Sequence, residues 1–96
     1  MPSLSTHVLD TASGRPASGI AVTLEKDGTI LGRKITDSDG RVKELASTIA
    51  AGRYRLSFEL PGFFRRVTLE VELGDEAHYH VPILISPFGV TTYRGT

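Results

Sequence analysis

Apolar positions along this chain recur with a period of two, the mark of strands with one face turned toward a core. The pattern predicts strands over 4–10, 20–26, 29–36, 41–45, 52–60, 67–73, 79–86 and 90–94. Turn chemistry separates them. Ala12-Ser13-Gly14-Arg15-Pro16 follows the first strand, Asp27-Gly28 makes a tight hairpin, and Asp37-Ser38-Asp39-Gly40, Pro61-Gly62 and Gly74-Asp75 mark later turns. The segment 46–51 is a loop or a weak helix at most. Short, evenly spaced strands of this kind predict an all-β sandwich of two antiparallel sheets, about eight strands, with little or no helix.

Alternation also assigns faces. In the strand 79–86, Tyr79, Val81, Ile83 and Ile85 share one side and His78, His80, Pro82, Leu84 and Ser86 the other. The Val/Ile side belongs to the core. In the first strand, a core-facing Val8 turns His7 and Leu9 outward, and in the last strand Thr91, Tyr93 and Gly95 are the outward positions. An outer face holding histidine, leucine, proline and tyrosine differs from an ordinary solvated face and suits contact with another copy of the chain.

Composition narrows the possibilities. The 96 residues are expected to form one domain, 1–96. A chain of this size buries only roughly 60–65% of its unfolded surface, so assembly would add to a modest core. Eleven basic residues balance eleven acidic ones, which removes the electrostatic reason to expect a nucleic acid or an anionic membrane as partner. With no cysteine, disulfides, thiolate catalysis and Cys-based zinc sites are excluded. No apolar run approaches the ~20 residues of a membrane span. The N-terminus lacks the basic region and apolar run of a secretory signal, so a cytoplasmic location is expected.

Candidate chemistry concentrates near the ends. His78 and His80 form an H-x-H pair, but His7 would have to be the third zinc ligand and no carboxylate lies near in sequence. Surface or interface histidines are the better reading, and no metal is expected. His7 and His80 share the outer face, and an imidazole can accept and return a proton near neutral pH. Arg41 opens a strand after Asp39-Gly40, where its guanidinium could hold a planar anion. Asp37 and Asp39 lack the further acidic positions of a calcium loop and read as a turn. No nucleophile elbow, P-loop or dinucleotide fingerprint occurs.

Three segments, THVLDTASGRPA, TDSDGR and HYHVPILISPFGVTTYRGT, together resemble the transthyretin-related 5-hydroxyisourate hydrolases. The resemblance spans essentially the whole chain. It implies a transthyretin-like (prealbumin-like) sandwich, assembled as a homotetramer around a channel with active sites at the dimer–dimer contact. It implies a small-molecule substrate, 5-hydroxyisourate, opened to 2-oxo-4-hydroxy-4-carboxy-5-ureidoimidazoline in urate degradation without a cofactor. Position by position, the family's catalytic residues fall on His7, Arg41 and His80. Its closing tetrapeptide, Y-R-G-S, falls on Tyr93, Arg94, Gly95 and Thr96, with Leu84 as a further wall of the binding site. His78 is left outside the catalytic set.

Two departures stand out. Thr96 replaces the usual serine and keeps the hydroxyl. Pro61-Gly62-Phe63-Phe64 stands where the family places a short helix, in a correspondingly shorter chain. The middle of the sequence also resembles non-catalytic carboxypeptidase regulatory-like modules, which share the T-D-x-D-G-R turn. Such modules have no use for T-H-V-L-D, H-V-P and Y-R-G-T together. A carrier of a lipophilic hormone, as transthyretin is, fits poorly with a channel lined by histidines, Tyr93 and Arg94.

Overall fold

In the computed structural model, which describes residues 3–95, the period-two segments become nine strands. They are β1 (Ser3–Asp10), β2 (Arg15–Pro16), β3 (Ala21–Lys26), β4 (Thr29–Ile35), β5 (Arg41–Ala46), β6 (Gly52–Glu59), β7 (Arg66–Leu73), β8 (His78–Ser86) and β9 (Gly89–Thr92). No helix occurs among the described residues. One sheet has the order β4-β3-β6-β7 and is antiparallel throughout. The other runs β2-β1-β8-β9, with β5 also paired to β1.

The inner faces are those that alternation predicts. Leu4, Val8, Val81, Ile83 and Ile85 from one sheet meet Val22, Leu24, Tyr54, Leu56 and Phe58 from the other in a single apolar cluster. Burying each large side chain contributes about 1.5–3 kcal/mol. The outer face of the β4-β3-β6-β7 sheet is solvated. Arg53 faces Glu72, Arg55 faces Glu70 and Arg66 faces Glu59 across β6 and β7, a ladder of exposed pairs that adds little stability.

Four details differ from the sequence reading. Chief among them, β1 and β8 run parallel, from Ser3 opposite His78 to Asp10 opposite Ile85, so that this sheet is mixed. Alternation is blind to strand direction, and a parallel pair joins segments too far apart for a hairpin. Arg15-Pro16 forms a short strand against Leu9-Asp10. The final strand stops at Thr92, leaving Tyr93 and Arg94 outside it, and Gly95 returns to bridge His80. Ala46 closes β5, and the chain then continues as a loop.

Leu60–Arg65 joins β6 to β7 without a helix, closed by the Leu60 N–H donating to the Arg65 carbonyl at 2.8 Å. Phe63 packs edge-on against Phe64 and tilted against Phe88 of the β8–β9 turn. Phe63 and Phe88 remain 70% and 79% exposed, so this end of the sandwich is only lightly covered.

Candidate active site

The parallel register of β1 and β8 builds the site. Side chains two apart share a face, so Ser3, Ser5 and His7 of β1 stand beside His78, His80 and Pro82 of β8. On the other side of β1, antiparallel β5 sets Arg41 opposite His7. Lys43, two residues on, lies on the same face.

Arg41 is positioned by the turn before it. Asp37 Oδ1 accepts the N–H groups of Asp39 at 2.9 Å and of Arg41 at 3.0 Å. The Arg41 N–H is the main cause that holds the Asp37 carboxyl below its ordinary range. Gly40 sits at φ +72°, with its Cα against the Val8 carbonyl, where a Cβ would come within 2.5 Å. Only glycine fits that combination. The Asp-x-Asp-Gly segment is thus a turn that aims Arg41, as the sequence suggests.

The C-terminal segment folds back over His80. The Gly95 N–H donates to the His80 carbonyl at 2.8 Å, and a Cβ on Gly95 would lie 2.7 Å from His80 Cδ2. The missing side chain is what lets the imidazole lie there. Arg94 stacks over the Tyr79 ring, 5.0 Å from its centroid, and makes a loose, exposed contact of 3.9 Å with Glu76. The Tyr79 hydroxyl accepts the Gly74 N–H at 2.8 Å and so ties down the turn that carries Glu76.

These parts enclose an open cleft of about 730 Å³ lined by Ser5, Arg41, Lys43, Glu76, His78, His80, Arg94 and Gly95, among others. Three cations face one carboxylate there, so the cleft is basic although the chain is neutral. Burial, and then the charges of His7, His78 and Arg41, hold His80 below the ordinary histidine value of 6.5. It is therefore an unprotonated base at neutral pH. Its Nδ1 lies 2.8 Å from Ser5 Oγ.

Of the residues singled out from sequence, Arg41, His80, Arg94 and Gly95 converge on this cleft. His7 lies beside it, one strand position along, close enough for its charge to act on His80. Leu84 is half-buried further along the same face, paired with Leu9 and Thr91. Tyr93 is 55% exposed and lies at a shallow depression with Leu69 and Thr92, outside the cleft. Thr96 lies outside the described residues. Ser5 and Lys43 were missed by sequence reasoning. Both stand two residues from a chosen side chain on the same strand face, a signal that alternation already contained. Among the described residues, no group of three or more His, Cys, Asp or Glu is arranged to hold a metal ion.

A β-sandwich with a mixed sheet whose outer face carries a basic, histidine-bearing cleft defines a transthyretin-like protein equipped for acid–base chemistry. The chain belongs to the HIUase/Transthyretin family, whose model matches residues 4–95. It is 37% identical to a 5-hydroxyisourate hydrolase of Caulobacter vibrioides, covering 100% of both chains. That alignment spans 115 positions against the 96 residues here, so the relative carries segments that this chain lacks. The structure of Klebsiella pneumoniae 5-hydroxyisourate hydrolase superposes with a TM-score of 0.92 at 37% identity over 100% of each chain. Transthyretin from Sparus aurata superposes at 0.85 with 26% identity, over 96% of this chain and 95% of that one.

Proposed function

We propose that this chain, acting as one domain, hydrolyses 5-hydroxyisourate to 2-oxo-4-hydroxy-4-carboxy-5-ureidoimidazoline in the degradation of urate. The observation that carries this reading is convergence. His80, Arg41 and Arg94-Gly95 come from separate sequence motifs, yet they line one basic cleft, with His7 at its side.

Water attacks the ring carbonyl. His80, neutral and held at Nδ1, takes the proton of that water with His7 as its partner, and the proton returns to the leaving nitrogen. Such assistance is worth about 10²–10⁴ in rate. Arg41 binds the planar, anionic, urate-like ring and stabilises charge growing on oxygen. Arg94 adds positive charge, and Gly95 leaves room for the His80 ring. No step calls for a cofactor.

Tyr93 and Leu84 lie outside the cleft of one chain, and a second copy meeting this face brings them to a shared site. In line with the family resemblance, the working form is read as a homotetramer with sites at the dimer–dimer contact, located in the cytoplasm. By the family resemblance, Thr96 would add its hydroxyl to the same site.

The test is direct. 5-Hydroxyisourate is generated with urate oxidase, and the loss of its ultraviolet absorbance is followed with and without the protein. Decay faster than the spontaneous rate is expected. His80→Ala and His7→Ala should each lower kcat/KM by about 10²–10⁴. Decay no faster than in buffer sinks the reading.

A further inference from the structure

The outer face of β1 and β8 carries a line of side chains that the two-histidine mechanism leaves unused. Ser3 Oγ lies 2.5 Å from His78 Nδ1. Ser5 Oγ lies 2.8 Å from His78 Nε2 and 2.8 Å from His80 Nδ1. His78 thus has a hydroxyl at each ring nitrogen, and Ser5 serves two rings at once. The line begins at half-buried Ser3 and exposed His78 and ends at half-buried His80 in the cleft.

Proton counting restricts this line. A hydroxyl has one hydrogen, so Ser5 donates to one ring and accepts from the other. With all groups neutral, two arrangements satisfy the three contacts. In one, His80 Nδ1–H donates to Ser5, Ser5 donates to His78 Nε2, and His78 Nδ1–H donates to Ser3, which leaves His80 Nε2 bare. In the other, every bond points the opposite way and His80 Nε2 carries the hydrogen. The first form is a base and the second an acid.

We propose that Ser3, His78 and Ser5 form a proton relay behind His80, with Ser5 and His78 as positioning residues that switch His80 between these two forms. The inference rests on the reading of His80 as the acid–base group. When a water proton reaches His80 Nε2, the Nδ1 proton passes to Ser5 Oγ and the Ser5 proton to His78 Nε2. The His78 Nδ1 proton passes to Ser3 Oγ, and the Ser3 proton leaves to solvent. Each N–H or O–H bond broken is matched by one formed, and the line ends neutral with reversed polarity. His80 Nε2–H then donates to the leaving nitrogen while a proton taken up at Ser3 restores the first arrangement.

The surroundings give the relay its purpose. Arg41 and Lys43 on β5 and Arg94 on the C-terminal segment are cationic, His7 of β1 stands opposite Arg41, and Glu76 is the opposing charge in the cleft. Burial and positive neighbours already disfavour a protonated His80. A relay lets it accept a proton without remaining charged.

The test reads the His80 ring directly. Long-range proton–nitrogen correlation spectra of the resting protein, without substrate, are recorded for wild type, Ser5→Ala, Ser5→Thr and His78→Ala. The Nδ1–H form should dominate in wild type and in Ser5→Thr, and give way to a mixture in Ser5→Ala. In the hydroxyisourate assay, Ser5→Ala and His78→Ala should each lower kcat on the order of ten-fold with little change in KM, as loss of an orienting partner does. The double variant should be no worse than Ser5→Ala, because the two act in series. An unchanged His80 tautomer in Ser5→Ala overturns the relay, as do multiplicative losses in the double variant. His78 is exposed, so its variant tests the idea even if Ser5→Ala folds poorly. Absence of hydrolysis by wild type would defeat the proposed function and leave the spectra to judge the hydrogen-bonded line.

Discussion

His80 owes its chemistry to what surrounds it. Its pKa is lowered by burial first and by His7, His78 and Arg41 next. The unfolded chain therefore binds more protons than the folded one between the lowered value and the ordinary 6.5. The stability tied to neutral His80 is full above that window and declines as pH falls through it. The acid limb of the kcat/KM profile should accordingly lie below the ordinary histidine value. Arg41→Gln should shift that limb toward higher pH, besides lowering activity, and a pH series on both proteins checks the sign. Gly95 makes a second case. A methyl group there meets the His80 ring at 2.7 Å, and Ser5 holds that ring from the other end. Gly95→Ala should displace the imidazole and lower kcat/KM by about 10²-fold, the scale of a misplacement near 1 Å. The thermal midpoint should change little, because the strain falls on one ring at the edge of the cleft.

At the scale of elements, the C-terminal segment separates stability from function. The strand β9 ends at Thr92, and Gly95 adds one main-chain hydrogen bond beyond it. Deleting 93–96 therefore costs roughly 1 kcal/mol of hydrogen bonding, a fall of about 4–8 °C in Tm for a domain of this size. The same deletion removes the Arg94 cation and uncovers His80, so activity should be nearly abolished. Activity and thermal midpoint measured together on the truncated protein decide the matter. Retained activity would mean that the closing motif has no catalytic part. The helix-free link between β6 and β7 lies away from this segment, against Pro87 and Phe88, and supplies no residue to the cleft.

At the scale of the molecule, the two outer faces differ. One is a ladder of arginine–glutamate pairs. The other carries half-buried Leu9 and Leu84 beside His7 and His80, with Tyr93 exposed at the end of β9. This second face is expected to be covered by other copies of the chain. Sedimentation at assay concentration should give a tetramer, and a fully active monomer would refute the shared-site mechanism.

Much of this was legible beforehand. A period of two, punctuated by glycine, proline and aspartate, determined the strands and which of their faces turn inward. Those preferences are local: alternate side chains leave a strand on opposite sides, and certain residues favour turns. The motifs singled out His7, Arg41, His80 and Arg94-Gly95. What no local pattern contains is the pairing of distant strands. The tertiary structure decided that β1 and β8 run parallel with Ser3 beside His78 and Ser5 beside His80. It also decided that Gly95 lies under an imidazole and that Tyr93 stands apart from the cleft. Strand order and register are set by how both sheets bury their apolar faces at once. Contacts between residues more than seventy positions apart therefore exist only once the whole core has packed.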